Sequence, residues 1–498
     1  MLRDSQPRWG TCPSTRWKPA FDKPSTGGVT NSTAKHSTGN SRMDKIVILG
    51  AGLAGISASF HLRHARCVLF EKNHYPGGHI HTEFLDGFTW DEGPHISFTK
   101  HQYVRELFEA NVDGEYLEYP VETGNYFQGH WIPHPAQSNL HAVPEPLRHR
   151  CLQDFLDMRQ SAAGSPPETY EDWLKFAFGD TFATTFPSAY TRKYWTTDAE
   201  NLSTDWVGER MFFPSVEDVT RGAVAPLPQQ THYIKNIRYP ARGGYMAYAN
   251  KLVEAANVEF NHELVHVSFE DRALFFANGS RISFSKLVNT LPLPVLIQLS
   301  DAPPDVQAAA TRLSCSSLLV VNVAANHPTV RPENWIYVYD EDKYTTRINC
   351  TELLSPNNAP EGTTGIQVEV YFSKYKPATE SPERIASKVC SELVEMGLIK
   401  SPEAIMSVHT KMVPWANVIF DHDRRAALDQ VLDWLSQKGL RREDDDLEPI
   451  TDWERKLADP LGDEHQSVFL AGRYAQWKYY WTDDCVLRGL YLSQTLKG

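Results

Sequence analysis

No stretch of this sequence approaches the ~20 consecutive apolar residues that a helix needs to cross a bilayer, so no integral membrane segment is expected. Positive charge is also short: 49 Lys and Arg stand against 62 Asp and Glu, a net charge of -13. That balance argues against a nucleic-acid partner and against an anionic membrane surface, while leaving room for a local basic pocket. Cysteine is sparse, with 7 residues (Cys12, Cys67, Cys151, Cys315, Cys350, Cys390 and Cys485) and no CxxC pair. Dispersed cysteines in odd number read as free thiols in a reducing compartment, and a cytoplasmic protein is expected. The close histidine pairs His61/His64 and His79/His81 have no further ligands nearby in sequence, so no metal site is expected. There is no P-loop, no internal repeat, and no Ser-His-Asp or Cys-His arrangement that residue order alone supports.

What is present is ordinary for a globular chain: 41% hydrophobic and 22% charged residues. At roughly 150 residues per domain, 498 residues suggest about three structural units. Residues 1–42 stand apart. They are rich in Ser, Thr, Pro, Gly and basic residues, carry Asp4 and Asp22 as their acids, and have no hydrophobic period, so disorder is expected. The acid-poor composition suits a transit peptide, but the Pro and Gly content speaks against an amphipathic helix; a second reading starts the protein at Met43.

From Lys45 the pattern changes. Residues 45–49 form a continuous apolar run, as a buried parallel strand does, residues 53–64 read as a helix, and 67–72 as a second buried strand. Between the first strand and the helix lies Gly50-Ala51-Gly52-Leu53-Ala54-Gly55. The first glycine allows the tight turn, the second lets a pyrophosphate approach the backbone, and the third lets helix and strand pack closely. Phosphates then meet free N–H groups at the helix N-terminus. Glu71, ending the second strand, is placed to accept hydrogen bonds from a ribose. These elements together predict a dinucleotide-binding βαβ unit. Further along, 100–112, 383–397, 424–438 and 483–496 read as helices, and 145–210 is mostly helical. Asn278-Gly279 between two apolar runs signals a hairpin, and 317–324 and 335–372 read as strands, including the alternating IQVEVYF.

Several segments resemble a known superfamily. After Glu71 and Lys72 come Gly77-Gly78-His79 and Thr82, similar to the FAD-binding segment of the amine oxidase superfamily, where Gly-Gly-Arg is common. His79 in place of the arginine removes one fixed charge near the cofactor. Val468–Leu470 followed by Ala471-Gly472-Arg473 and a helix resembles the C-terminal element that directs a helix N-terminus at the flavin in that superfamily. Val265 falls where the backbone usually meets adenine. The resemblance implies FAD, held by Gly50, Gly52, Leu53, Ala54, Gly55, Glu71, Lys72, Gly77, Gly78, Thr82, Val265, Gly472, Arg473 and Asp484.

The middle of the chain is similar to the UDP-galactopyranose mutases and related flavoproteins. Gly93-Pro94-His95 resembles the loop that sets a histidine against the flavin. Phe186 through Trp195, with Tyr190, resembles a substrate segment. Arg210 and Arg347, the latter after Tyr344, resemble the diphosphate-binding arginines. Tyr479 and Tyr480 follow Gly472-Arg473 as in the family's tyrosine cluster. The chain departs from the family at Phe98, at Trp481-Thr482-Asp483-Asp484, and at 413–417, which lacks a tyrosine.

The resemblance implies an α/β fold: a discontinuous Rossmann-like FAD-binding domain (43–115, 236–300, 461–498), with an inserted helical region and a mixed β-sheet substrate domain (116–235, 301–460). It implies an isomerase in which reduced flavin N5 attacks the sugar's anomeric carbon and displaces UDP, with no net redox change. His95, Arg210, Arg347 and Tyr479 would carry that chemistry; Phe186, Tyr190, Trp195, Arg210, Tyr344, Arg347 and Tyr480 would bind substrate. A nucleotide diphosphate sugar as substrate, a reductant such as NAD(P)H, and room for a homo-oligomer complete the expectation. The alternative is an FAD oxidoreductase of the amine oxidase or protoporphyrinogen oxidase type, oxidising a C–N or C–H bond.

Overall fold

The structure, a computed structural model, describes residues 46–63, 66–160, 167–207, 211, 213–227, 236–462 and 466–496. The stretch 1–42, expected to be disordered, and Arg210 lie outside the described residues.

Ile46–Leu49 is buried at every position because it is the central strand of a five-stranded, all-parallel sheet. The order across that sheet is Val468–Leu470, Lys286–Asn289, Ile46–Leu49, Cys67–Phe70 and Val258–Glu259. Three distant stretches of the chain therefore build one sheet. Leu53–His61 is the helix that follows the glycine turn; it stops short of the expected residue 64, and Arg63 just beyond it adopts a left-handed φ of 62°. The last helix, Thr482–Thr495, packs against it. Gly489 allows this close approach, since a Cβ there would collide with Ser57, and Ser57 Oγ donates to the Val486 carbonyl at 2.9 Å. The buried Arg488 donates to the Leu470 carbonyl at 2.9 Å and to Glu443 at 2.7 Å, tying this helix to the last strand.

The Asn278-Gly279 hairpin forms as expected, joining Ala273–Phe276 to Arg281–Ser283, with Leu264–Ser268 completing a three-stranded antiparallel sheet. A seven-stranded sheet makes up the second half of the core. Its order is Ile405–Val418, Cys315–Ala325, Thr364–Phe372, Arg347–Cys350, Trp335–Val338, Thr123–Phe127 and His130–Pro133. The alternation of IQVEVYF would put one face in water, yet every residue of Thr364–Phe372 is buried. The strand is interior to the sheet, and helix Pro382–Glu395 covers one face. Its polar residues are satisfied within the protein: Gln367 Nε2 donates to Asn322 Oδ1 and to the Asp91 carbonyl, each at 2.9 Å. Ile405–Val418 was not evident in the sequence, because Pro414 reads as a strand breaker; it is tolerated on an edge strand, where no partner needs its N–H. Among the described residues no helix is long and apolar enough to cross a membrane.

Candidate active site

A cavity of ≈ 1170 Å³ runs from the carboxyl ends of the parallel strands to the concave face of the large sheet. Its first part is floored by glycine backbone. Gly50 turns the chain out of the first strand with φ 95°, and a Cβ there would sit 2.5 Å from Thr290 Oγ1. Gly77 has φ 110° and donates its N–H to the Ala51 carbonyl at 2.8 Å, so the two glycine loops lie side by side. A Cβ on Gly78 would come within 3.0 Å of Gly52 Cα and fill the floor. Gly55 does not line the cavity; a Cβ there would collide with the Gly50 carbonyl oxygen, so its role is to let helix and turn pack. The helix Leu53–His61 has Gly52 as N-cap, no side-chain cap and no acid in its first turn, which leaves its N–H groups for an anion. Glu71 lines the cavity and accepts N–H groups from Ala51 at 2.8 Å and Asn73 at 3.0 Å. Leu53, Ala54, Lys72, Val265, Gly472 and Arg473 also line it.

Two residues expected at the cofactor point elsewhere. Thr82 Oγ1 donates to Asp91, whose carboxylate also takes Tyr239 Oη–H and the Tyr245 N–H, so Thr82 serves a buried structural knot. Burial raises the Asp91 carboxyl to about 6. Asp484 accepts from the Trp481 N–H at 2.6 Å and from Trp453 Nε1 at 2.7 Å, capping the last helix. An acid there offsets the helix dipole that was expected to act on the flavin.

His79, His95 and Arg473 line the same cavity, close enough for His79 and Arg473 to act electrostatically on His95. His95 Nδ1 donates to the Gly93 carbonyl at 2.7 Å, which leaves Nε2 as an acceptor. Burial lowers its pKa from 6.5 to about 4, so the ring is neutral at pH 7, and it lines the cavity. The sign of the linkage follows. Above 6.5 folded and unfolded rings are both neutral; as pH falls from 6.5 toward 4 the unfolded ring takes a proton that the folded one resists, and stability is lost. In the cofactor-free protein, His95→Gln is expected to flatten the fall in Tm over that window, measured by thermal unfolding against pH; equal slopes would contradict it.

Arg473 Nε donates to the Tyr480 carbonyl at 2.6 Å, and Nη1 reaches the Ala416 carbonyl at 3.3 Å and Asn417 Oδ1 at 3.4 Å. Among the described residues no carboxylate pairs with it. Burial acts to lower its pKa, but surrounding tyrosine oxygens more than offset this and the guanidinium stays charged.

Much of the rest of the lining is aromatic. Helix Pro187–Tyr194 contributes Tyr190 and Tyr194, stacked at 5.5 Å, and Trp195 follows. Tyr337 and Tyr371 come from the large sheet, Tyr339 from just beyond its strand Trp335–Val338, and Tyr479 from the C-terminal loop. Tyr479 packs against Trp195 at 5.8 Å. Arg347 is here too, but not as a free cation: Glu369 grips it through both carboxylate oxygens, with Nη2 to Oε1 at 2.8 Å. Its guanidinium also lies 4.6 Å from the Trp335 ring and donates to Tyr371 Oη at 3.2 Å.

Of the expected substrate residues, Tyr190, Trp195, Arg347 and Tyr480 reach the cavity, with Tyr480 Oη bonded to Thr451 at 2.7 Å. Phe186 does not; it is fully buried among Phe127, Phe182 and Tyr339. Nor does Tyr344, whose hydroxyl donates to Glu380 at 2.6 Å away from the site. Glu369, Trp206, Glu92 and Lys411 were not evident in the sequence, although His79, which Glu92 holds, was. Glu369 had a signal, an acid inside an apolar strand; Lys411 had none, lying far from His79 in the chain. Among the described residues no three His, Cys, Asp or Glu are grouped to hold a metal.

A parallel sheet with a glycine-floored, uncapped helix start defines a protein that holds a phosphate-bearing dinucleotide. The sequence profile of the family described as "Flavin containing amine oxidoreductase" matches residues 53–496, and the chain belongs to that family; its cofactor is a flavin. In fold it is similar to reduced UDP-galactopyranose mutase, with a TM-score of 0.79 and 23% identity over 90% of this chain and 94% of that one. It is also similar to a putative protoporphyrinogen oxidase from Exiguobacterium sp. 255-15, with a TM-score of 0.66 and 17% identity over 92% and 99%. A 1-hydroxycarotenoid 3,4-desaturase from Flavobacterium sp. (strain P99-3) is 37% identical over 75 residues, which span only 15% of this chain and 15% of that relative.

Proposed function

We propose that this protein is an FAD-dependent isomerase of the UDP-galactopyranose mutase type, acting on a nucleotide diphosphate sugar. One observation carries the reading: three buried donor atoms on cavity-lining residues have no partner among the described residues, beside a cation that no described carboxylate pairs. Tyr190, Trp206 and Trp335 line the cavity, and Tyr190 Oη, Trp206 Nε1 and Trp335 Nε1 are buried with no partner among the described residues. Arg473 adds a cation without a carboxylate. Buried donors need acceptors. A phosphate- and hydroxyl-rich ligand supplies them, whereas an ammonium substrate would be repelled by Arg473.

These residues would hold a flavin which, when bound and reduced, would supply a nucleophilic nitrogen. Arg473 and Tyr479 would hold the departing diphosphate, arginine suiting its paired oxygens. His95, neutral, offers Nε2 as an acceptor. The aromatic walls keep water from the open sugar. A reductant such as NAD(P)H and a cytoplasmic setting belong to the same proposal; the six described cysteines are all free thiols.

The test is to reduce the holoprotein with dithionite under nitrogen and add UDP-galactopyranose. Furanose product without oxygen consumption is expected. Flavin bleaching by an amine or a porphyrinogen, with no binding of any UDP-sugar, would instead support the oxidoreductase reading. Tyr190→Phe is expected to weaken UDP-sugar binding about tenfold, the worth of one hydrogen bond to a charged acceptor, as read by calorimetry. An unchanged affinity would remove Tyr190 from the site.

A further inference from the structure

We propose that Asn417 sets the charge of the ligand this cavity accepts. Its neutral side chain holds the place from which a carboxylate would pair Arg473, and so leaves that guanidinium to an anion. The inference rests on the anion-accepting reading of the cavity and deepens it; it does not need the anion to be a nucleotide sugar.

The cavity holds two arginines, and the fold treats them in opposite ways. Arg347 is matched by Glu369, which grips it through both oxygens, so that pair is neutral as a unit. Arg473 meets uncharged acceptors instead. Its Nε donates to the Tyr480 carbonyl at 2.6 Å, and its Nη1 to the Ala416 carbonyl at 3.3 Å and to Asn417 Oδ1 at 3.4 Å. Two of these acceptors are main-chain oxygens, which a substitution leaves in place. Asn417 is the one side chain of the three, so it is where the sequence decides whether Arg473 is paired.

Asn417 is firmly seated. It lies near the end of the edge strand Ile405–Val418, opposite Ser316 of the next strand, and its N–H donates to Ser316 Oγ at 3.1 Å. The carbonyl of Ala416, just before it, accepts from Tyr474 Oη at 2.7 Å. Its side chain lines the cavity, and the residue is 5% exposed. The neighbours fix which way the amide points. A guanidinium only donates, so the amide atom facing Arg473 is the oxygen. The same oxygen accepts from Tyr194 Oη at 3.3 Å, and the Tyr194 ring in turn lies 5.5 Å from the Arg347 guanidinium. Nδ2 has no partner among the described residues, which adds one more donor to a residue that lines the cavity.

Aspartate has the shape of asparagine but carries a negative charge and only acceptors. At position 417 it would form a charge-assisted pair with Arg473. It would also set a carboxylate against the phosphate of any anionic ligand, and like charges brought together this closely exclude a partner. One atom of side-chain chemistry therefore separates a cavity that takes anions from one that refuses them.

The experiment titrates FAD-loaded wild type, Asn417→Asp and Asn417→Ser with inorganic pyrophosphate and with UDP, by calorimetry. Asn417→Asp is expected to lose at least about a hundredfold in affinity for both. It should keep its flavin and a thermal midpoint no lower than wild type, because the new carboxylate meets a waiting cation. Asn417→Ser, which stays neutral, is expected to lose only about fivefold, the worth of one neutral hydrogen bond. The proposal is overturned if Asn417→Asp binds pyrophosphate as wild type does, or if Asn417→Ser falls as far as Asn417→Asp. It is equally overturned if Asn417→Asp unfolds or sheds its flavin, since Arg473 is then not placed to receive a carboxylate, or if wild type binds no pyrophosphate. If wild type binds pyrophosphate but no UDP or UDP-sugar, and Asn417→Asp binds none of them, the nucleotide-sugar reading fails and the role of Asn417 stands.

Discussion

Arg347→Ala is expected to cost about 3 kcal/mol of folding stability, and to abolish measurable UDP binding. The cost comes from what is left behind. Glu369 is 2% exposed and spends both oxygens on Arg347. Without the guanidinium a carboxylate remains buried in an aromatic pocket, with Tyr371 and Tyr194 as its neighbours. Removing one partner of a buried pair is far more damaging than removing both. The double replacement Arg347→Met with Glu369→Met is therefore expected to regain most of the lost stability. It should not regain ligand binding, because the planar donor over Trp335 is gone. Urea unfolding of the three proteins, together with calorimetry with UDP, separates the two roles. If the double variant binds UDP as wild type does, Arg347 is a structural strut only.

The same pair illustrates what residue order could and could not convey. The arginine was visible as a motif, and so was its expected duty toward a diphosphate. Its partner was not, because Glu369 lies on a neighbouring strand and the register Arg347↔Glu369 exists only once the sheet forms. The cofactor half of the site was legible for the opposite reason. Gly55 acts on the Gly50 carbonyl within the same turn, and although Gly50 and Gly52 also meet Thr290 and Gly78, the spacing of the three glycines states the turn directly. Glu71 and Gly77-Gly78 are nearly as local, being joined to the turn by single hydrogen bonds. Misplaced residues share a different feature. Phe186, Tyr344 and Thr82 sit inside well-matched segments, but side-chain direction within a helix or loop depends on packing. For Phe186 the neighbours Phe127 and Tyr339 come from strands far away in sequence. Asp484 was placed at the flavin by its position at a helix start, yet the indole of Trp453 and its own helix claim both oxygens. Long-range ionic links are the least legible of all. Lys411 meets Glu92 and Glu83 from an edge strand whose proline hid it, and no pattern near His79 announces it.

Gly55→Ala is expected to yield a protein that purifies without flavin, a loss of affinity of at least about a hundredfold. The methyl group would collide with the Gly50 carbonyl oxygen, with the Gly50 carbonyl carbon 3.2 Å away and Ile48 Cγ2 at 3.4 Å. None of these is the tip of a flexible side chain that could swing aside. Gly50 is itself pinned, donating its N–H to the Phe70 carbonyl at 2.8 Å, with Thr290 Oγ1 close on its other side. Relief must come from the helix Leu53–His61 moving away from the strand. That motion carries Gly52 and the uncapped N–H groups out of reach of the phosphates, and interiors this well packed do not absorb such a shift gradually. It also strains the contact between Ser57 and Gly489, so a lowered Tm should accompany the lost colour. Gly462→Ala is the matched control, since nothing among the described residues lies within 4 Å of a Cβ there, and it should retain full flavin absorbance. A yellow Gly55→Ala protein with wild-type FAD affinity would mean that helix and turn are held together less tightly than their geometry implies, and that the anion site at the helix start is not what binds the cofactor.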